Sequence, residues 1–149
     1  MNSGKTRLRS LEGHFDKDFP HYDLNVPDMV RFQKWKEDFD SLLNIKAVAQ
    51  FNTIRLPNDH TAGARVGMPT PRAMVAENDL AVGALISHIS NSSIWKESAI
   101  FVLEDDAQNG PDHVDAHRSI ALVVSPWARR NVTVSRMYST ASMLRTMEL

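Results

Sequence analysis

Phe101-Val-Leu-Glu-Asp-Asp-Ala-Gln-Asn-Gly-Pro-Asp-His-Val-Asp-Ala-His-Arg118 runs from three apolar residues into three consecutive acids, then a Gly-Pro turn, then alternating Asp and His. Five carboxylates and two imidazoles fall within fourteen positions, Glu104 to His117. Packing alone asks for no such density. Crowded carboxylates repel one another, and a fold tolerates them when a cation neutralises them or water surrounds them. A divalent metal is one reading: imidazole beside carboxylate suits zinc, manganese or iron, whereas carboxylates alone favour magnesium or calcium. Gly110-Pro111 breaks any helix, so the spacing is not that of a helical His-Glu-x-x-His zinc motif. The other reading is a solvated acidic loop whose histidines touch nothing.

Working outward, Ser98-Ala-Ile-Phe-Val-Leu103 is a continuous apolar run that predicts a strand buried on both faces. Ser119-Ile-Ala-Leu-Val-Val-Ser125 is a second such run, stopped by Pro126 and followed by Trp127, Arg129 and Arg130. Phe51-Asn-Thr-Ile-Arg-Leu56 alternates and predicts a third strand, ending at Pro57. The loop after it, Pro57-Asn-Asp-His-Thr61, offers polar side chains beyond a strand end, where ligands bind in open α/β sheets. The same residues are also ordinary turn formers. Val132 to Met137 reads as a short strand or a turn.

Helices are expected around these strands. Pro27 and Asp28 open one whose apolar residues Val30, Phe32, Trp35, Phe39, Leu42 and Leu43 recur near a 3.6-residue period. Thr70-Pro71 opens another, with Ala73, Val75, Ala76, Leu80, Val82, Leu85, Ile86 and Ile89 as its apolar set and Asn91-Ser-Ser93 as its end. Within it Glu77-Asn78-Asp79 reads as a solvated polar cluster. Tyr138-Ser-Thr140 predicts a cap for a last helix through Met143, Leu144, Met147 and Leu149. The order helix, strand, helix, strand, loop, strand, helix predicts an α/β protein: a parallel or mixed sheet with helices on both faces.

Composition sets the outer limits. A chain of 149 residues with 42% hydrophobic residues is about one domain with material for a core. A net charge of −1 gives no bulk attraction to nucleic acid or an anionic membrane, and nucleic acid is not an expected partner. No apolar run approaches the roughly 18 residues needed for a membrane span. With no cysteine, disulfides and thiolate metal sites are excluded. MNSGKTRLRS lacks the apolar core of a secretory signal, so the sequence as written reads as cytoplasmic. Gly4-Lys5-Thr6 echoes the end of a phosphate-binding loop, but neither the earlier glycine nor a preceding strand is there.

Taken together, Leu56-Pro-Asn-Asp-His-Thr61, Pro69-Thr-Pro71, Glu77-Asn-Asp-Leu-Ala81, Trp95-Lys96, Ile100 to Arg118, Ser125-Pro126, Tyr138-Ser-Thr140 and Leu144-Arg-Thr-Met-Glu-Leu149 resemble the C-terminal half of the bacterial phosphoesterase family. That family holds acid phosphatases and phosphatidylcholine-hydrolysing phospholipases C, within the alkaline phosphatase superfamily; its members are often exported. The resemblance covers about residues 8–149 and is carried most by the long central motif. It implies an α/β/α sandwich with a mostly parallel sheet, and a divalent metal at the strand ends that binds phosphate and activates a Ser or Thr nucleophile. It implies Asp105 and Asp106 as metal ligands, with Asp59 and Asp112 as weaker candidates. Asn58, His60 and Arg118 are implied in phosphate or substrate binding, and His113 and His117 in catalysis. A histidine that protonates the departing alkoxide typically contributes about 10²–10⁴-fold. Arg118 is equally placed to pair with Asp112 or Asp115.

The departure from the family pattern matters as much. Relatives carry an N-terminal half with a Glu-Asn pair for the metal and, after it, the nucleophile; nothing in residues 1–50 matches either. The expected organisation is an extended lead-in, 1–24, followed by 25–149 as the C-terminal portion of a phosphoesterase domain, truncated and incomplete. The expected partners are a phosphoester substrate and either a complementing chain or a second copy. Two other readings remain: a noncatalytic remnant that holds metal or phosphate weakly, and a divalent-metal domain unrelated to phosphate.

Overall fold

Pro27 fixes an extended backbone just ahead of Asp28 and has no side-chain acceptor for the first amides that follow; helix α1 runs from there, Asp28–Asn44. The computed structural model describes residues 8–105 and 119–149. Helix α2 spans Pro71–Ser90 and helix α3 Thr140–Met147. Strands β1, Ile100–Leu103, and β2, Ala121–Val124, make the sheet, and short 3-10 turns lie at Arg9–Leu11, Pro57–His60 and Trp95–Glu97. The chain divides into two compact units, Met1–His88 and Ile89–Leu149.

The first unit is organised by α1 and α2. The amide of Asp28 meets Glu77 at one end and the carboxylate of Asp40 meets His88 at the other, so the two helices run in the same direction. Phe32, Trp35 and Phe39 from α1 and Met74, Ala81 and Leu85 from α2 are buried. Each large side chain removed from water contributes about 1.5–3 kcal/mol. Trp35 and Phe39 stack with centroids 4.8 Å apart, and the His88 ring stands edge-on to Phe32, Trp35 and Phe39. Val30, expected in the apolar stripe, is 50% exposed. On α2 the buried face runs through Met74, Ala81 and Leu85; Leu85 belongs to the expected stripe, whereas Met74 and Ala81 lie beside expected positions, and Val75 and Leu80 face water.

The second unit carries the sheet. β1 and β2 pair antiparallel, Ile100 opposite Val124 and Leu103 opposite Ala121. Capping of α3 matches the sequence expectation: Ser139 accepts from the Ser142 amide while the Ser142 hydroxyl accepts from the Ser139 amide.

The expected α/β/α sandwich with a mostly parallel sheet does not form. The described chain is mostly helical, and its sheet has two strands, antiparallel to each other. The two strands are consecutive in the chain and pair directly in the antiparallel sense, so they do not form the parallel crossover unit that was expected. Residues 51–56, expected as a strand, have no ladder partner among the described residues: Phe51 is exposed and the Leu56 carbonyl accepts from the Asn78 side chain. Alternation was present there, but a strand exists only with a neighbour to bond. Val132–Met137 forms no strand either. Nor are β1 and β2 buried on both faces: β1 is half-buried along its length, and Ala121, Leu122 and Val123 are exposed.

Candidate functional site

The Pro57–His60 turn is held from beneath by a buried polar cluster. Asp28 and Arg31 are completely buried, and Asn58 is 4% exposed. Since Pro27 offers no side-chain cap, Glu77 reaches across from α2. Its Oε2 and Oε1 accept from the backbone amides of Asp28 (3.0 Å) and Met29 (2.7 Å). A carboxylate there satisfies two of the unpaired donors at the helix start and sits at the positive end of the helix dipole.

The turn is fastened to the same two carboxylates. Asn58 donates its backbone amide to Asp28 Oδ2 (2.9 Å) and its side-chain amide to Glu77 Oε2 (3.0 Å). Asn78 donates to Asp28 Oδ2 and to the Leu56 carbonyl, both at 2.9 Å. Arg31 bonds Asp28 Oδ1 at 3.0 Å and donates to the carbonyls of His21, Asp23 and Val26, tying the segment before α1 to the same point. Every carboxylate oxygen of the pair therefore has a donor. Oδ1 of Asn58 is buried and without a partner among the described residues.

Above this base, Asp59 and His60 are exposed. The His60 ring meets Tyr22 edge-on with centroids 5.9 Å apart, and the Arg55 guanidinium lies 5.1 Å over the Tyr22 ring. Thr61 closes the turn at φ 57 and ψ 165, a conformation close to glycine territory. Strain of this kind costs about 1–3 kcal/mol and persists where surrounding bonds over-determine it. Here the Thr61 amide donates to the Asn58 carbonyl at 3.0 Å.

Two hydrogen bonds tie together the ends of the acidic segment in the second unit: Glu104 donates its amide to the Ile120 carbonyl (3.2 Å), and the Ser119 hydroxyl donates to the Glu104 carbonyl (2.9 Å). Asp105 follows directly and is exposed. Asp106, Asp112, His113, His117 and Arg118 lie outside the described residues. Among the described residues no three His, Asp or Glu side chains converge as a metal-ligating group, and no helix is long and apolar enough to cross a membrane.

The expected site residues thus divide. Asn58, Asp59 and His60 share one turn in the first unit, and Asp105 stands at the end of β1 in the second. Sequence reading missed the base of the turn. Asp28 and Arg31 share the buried face of α1 with Phe32, Trp35 and Phe39; charges three residues apart on an apolar stripe are the signal that was there to find. Glu77-Asn78, expected as solvated, lie on the same face of α2 as Met74, Ala81 and Leu85 and enter the cluster; Asp79 is exposed as expected. No protein-family model, curated protein or solved structure matches the chain.

Proposed function

We propose that the chain is a phosphoesterase-family protein, carrying the cation-binding and phosphate-binding side of a site for metal-dependent hydrolysis of phosphoric esters. The observation that carries this reading is the acid-rich stretch from Glu104 to Arg118, entered from β1 and left into β2, with its two ends bonded to each other at Glu104 and Ser119. Asp105 and Asp106 are the ligands, and their carboxylates suit a hard or borderline divalent cation in kind. Such a cation supplies charge neutralisation at the phosphoryl oxygens and lowers a nucleophile's pKa. His113 and His117 are the candidates for proton delivery to the leaving group, and Arg118 for holding the ester. The Asn58 side chain spends its donor on Glu77, which gives it the task of fixing the turn that presents His60.

Nothing in residues 1–50 matches the family's Glu-Asn ligands or its nucleophile, so the second reading is a module that binds metal and phosphate without turnover. Titrating the full chain with Mn²⁺ and Zn²⁺, then with inorganic phosphate, tests the first part. Saturable metal uptake lost in Asp105→Ala and in Asp106→Ala is expected; uptake unchanged in both variants overturns the assignment. Assay with an aryl phosphate decides between the two readings. Negligible turnover is expected for the 149 residues alone, and turnover abolished by Asp106→Ala would establish that they form a complete catalyst.

A further inference from the structure

Past β2 the chain changes character. Residues 125–149 contain four arginines and one acid, Glu148, in a protein whose net charge is −1. Arg145 takes that acid, 3.3 Å from Glu148. Arg129, Arg130 and Arg136 have no ion-pair partner among the described residues. Asn131 adopts a left-handed backbone, φ 54, and turns the chain between Arg130 and Val132. Asparagine accepts that conformation more readily than most residues.

The result is a pocket of about 340 Å³ lined by Arg129, Thr133, Val134, Ser135, Arg136 and Tyr138. Two arginines and three hydroxyl-bearing residues line one concavity. None of these five side chains makes a hydrogen bond to another described residue. Tyr138 is 61% exposed, and the others with polar heads are exposed as well. Its volume is near the lower end of the roughly 300–1,000 Å³ typical of small-molecule sites.

We propose that this pocket binds the phosphoryl group of a small organic phosphate. A guanidinium presents donors in a planar fork that matches two oxygens of a phosphoryl group, and two forks with neighbouring hydroxyls supply donors for a tetrahedral dianion. A carboxylate, planar and singly charged, leaves one fork unmatched. The pocket uses none of the residues assigned to the cation or the ester above, so it stands whether or not that reading holds.

The test is calorimetric titration of the full chain with O-phosphoserine in EDTA, with serine and aspartate as controls. Saturable binding of O-phosphoserine is expected, without serine binding and with aspartate weaker. Arg129→Gln and Arg136→Gln each weaken it by about ten-fold or more, the scale of a lost hydrogen bond to a charged group. Asp105→Ala leaves it unchanged, which separates this pocket from the metal site. Both arginines are exposed, so the variants are expected to keep the wild-type circular dichroism. Absence of saturable binding overturns the proposal, as does equal affinity for aspartate or full affinity in the Arg129→Gln, Arg136→Gln double variant.

Discussion

Glu77 does three things with one carboxylate: it caps α1 at two amides, holds the side chain of Asn58, and places a negative charge where the α1 dipole is positive. Truncation to Ala leaves three buried or part-buried donors without an acceptor, and each such group costs about 1–3 kcal/mol. Glu77→Ala is therefore expected to lower unfolding free energy by about 2–4 kcal/mol in urea titration, more than Glu77→Gln, whose amide oxygen keeps one acceptor. Asp28→Ala strands the Arg31 charge inside the fold, a loss of about 3–5 kcal/mol. Asp40 belongs to a different regime. Lys36, at 2.7 Å, and then His88, whose Nε2 lies 2.6 Å from Oδ1, hold its carboxyl below the ordinary value of 3.8. A lowered folded-state pKa means stability that is present above pH 3.8 and is lost as pH falls through the lower folded value. The melting-temperature gap between wild type and Asp40→Asn should accordingly be wider at pH 6 than at pH 3, and a gap independent of pH would remove the pair from the account. These side chains are solvated, so the gap is expected to be small.

At the scale of elements, the two long helices follow directly from local signals: Pro27-Asp28 and Thr70-Pro71 mark their starts, and the Ser139 cap marks the third. Which face of α2 turns inward was not legible from its apolar residues alone. They occur almost all the way round, so periodicity leaves the face undecided, and the polar contacts of Glu77, Asn78 and His88 with α1 select it. Leu85→Ala should then cost about 2–5 kcal/mol, against about 0.5 kcal/mol or less for Leu80→Ala, which is 60% exposed. Similar losses at both positions would mean that α2 is rotated from the position described. The strands show the opposite failure. Ile100–Leu103 and Ala121–Val124 were marked by continuous apolar runs, whereas residues 51–56 only alternate; what they lack among the described residues is a partner strand, which no local pattern reveals. The acidic segment stood out in the sequence as a density of carboxylates, most of it outside the described residues, and Pro57–His60 was legible as a run of turn formers. The buried cluster beneath that turn was hidden because its members are scattered from Asp28 to Asn78.

For the whole molecule, the decisive contrast is in where apolar surface goes. All the buried hydrophobic residues among those described belong to the first unit. In the second, Ile120, Val132, Val134, Met137 and Leu144 are each more than half exposed, and Trp127 is 79% exposed although its indole donates to the Lys96 carbonyl at 2.8 Å. A two-stranded sheet is marginal in water, and each of its strands has one edge of backbone donors and acceptors beyond the pair. Apolar side chains beside unpaired strand edges favour pairing with another copy of the same surface. Self-association that rises with concentration is the expected behaviour, read by sedimentation velocity across a wide concentration range. Val123→Lys places a charge on β2 at a position 46% exposed in the monomer, so it should reduce association while leaving the cooperative unfolding of the helical unit in place. Edge charges are how natural sheets prevent such pairing. A wild-type chain that sediments as a monomer throughout, or a Val123→Lys chain that associates as strongly, would show that the exposed apolar surface of the second unit is not what joins copies together.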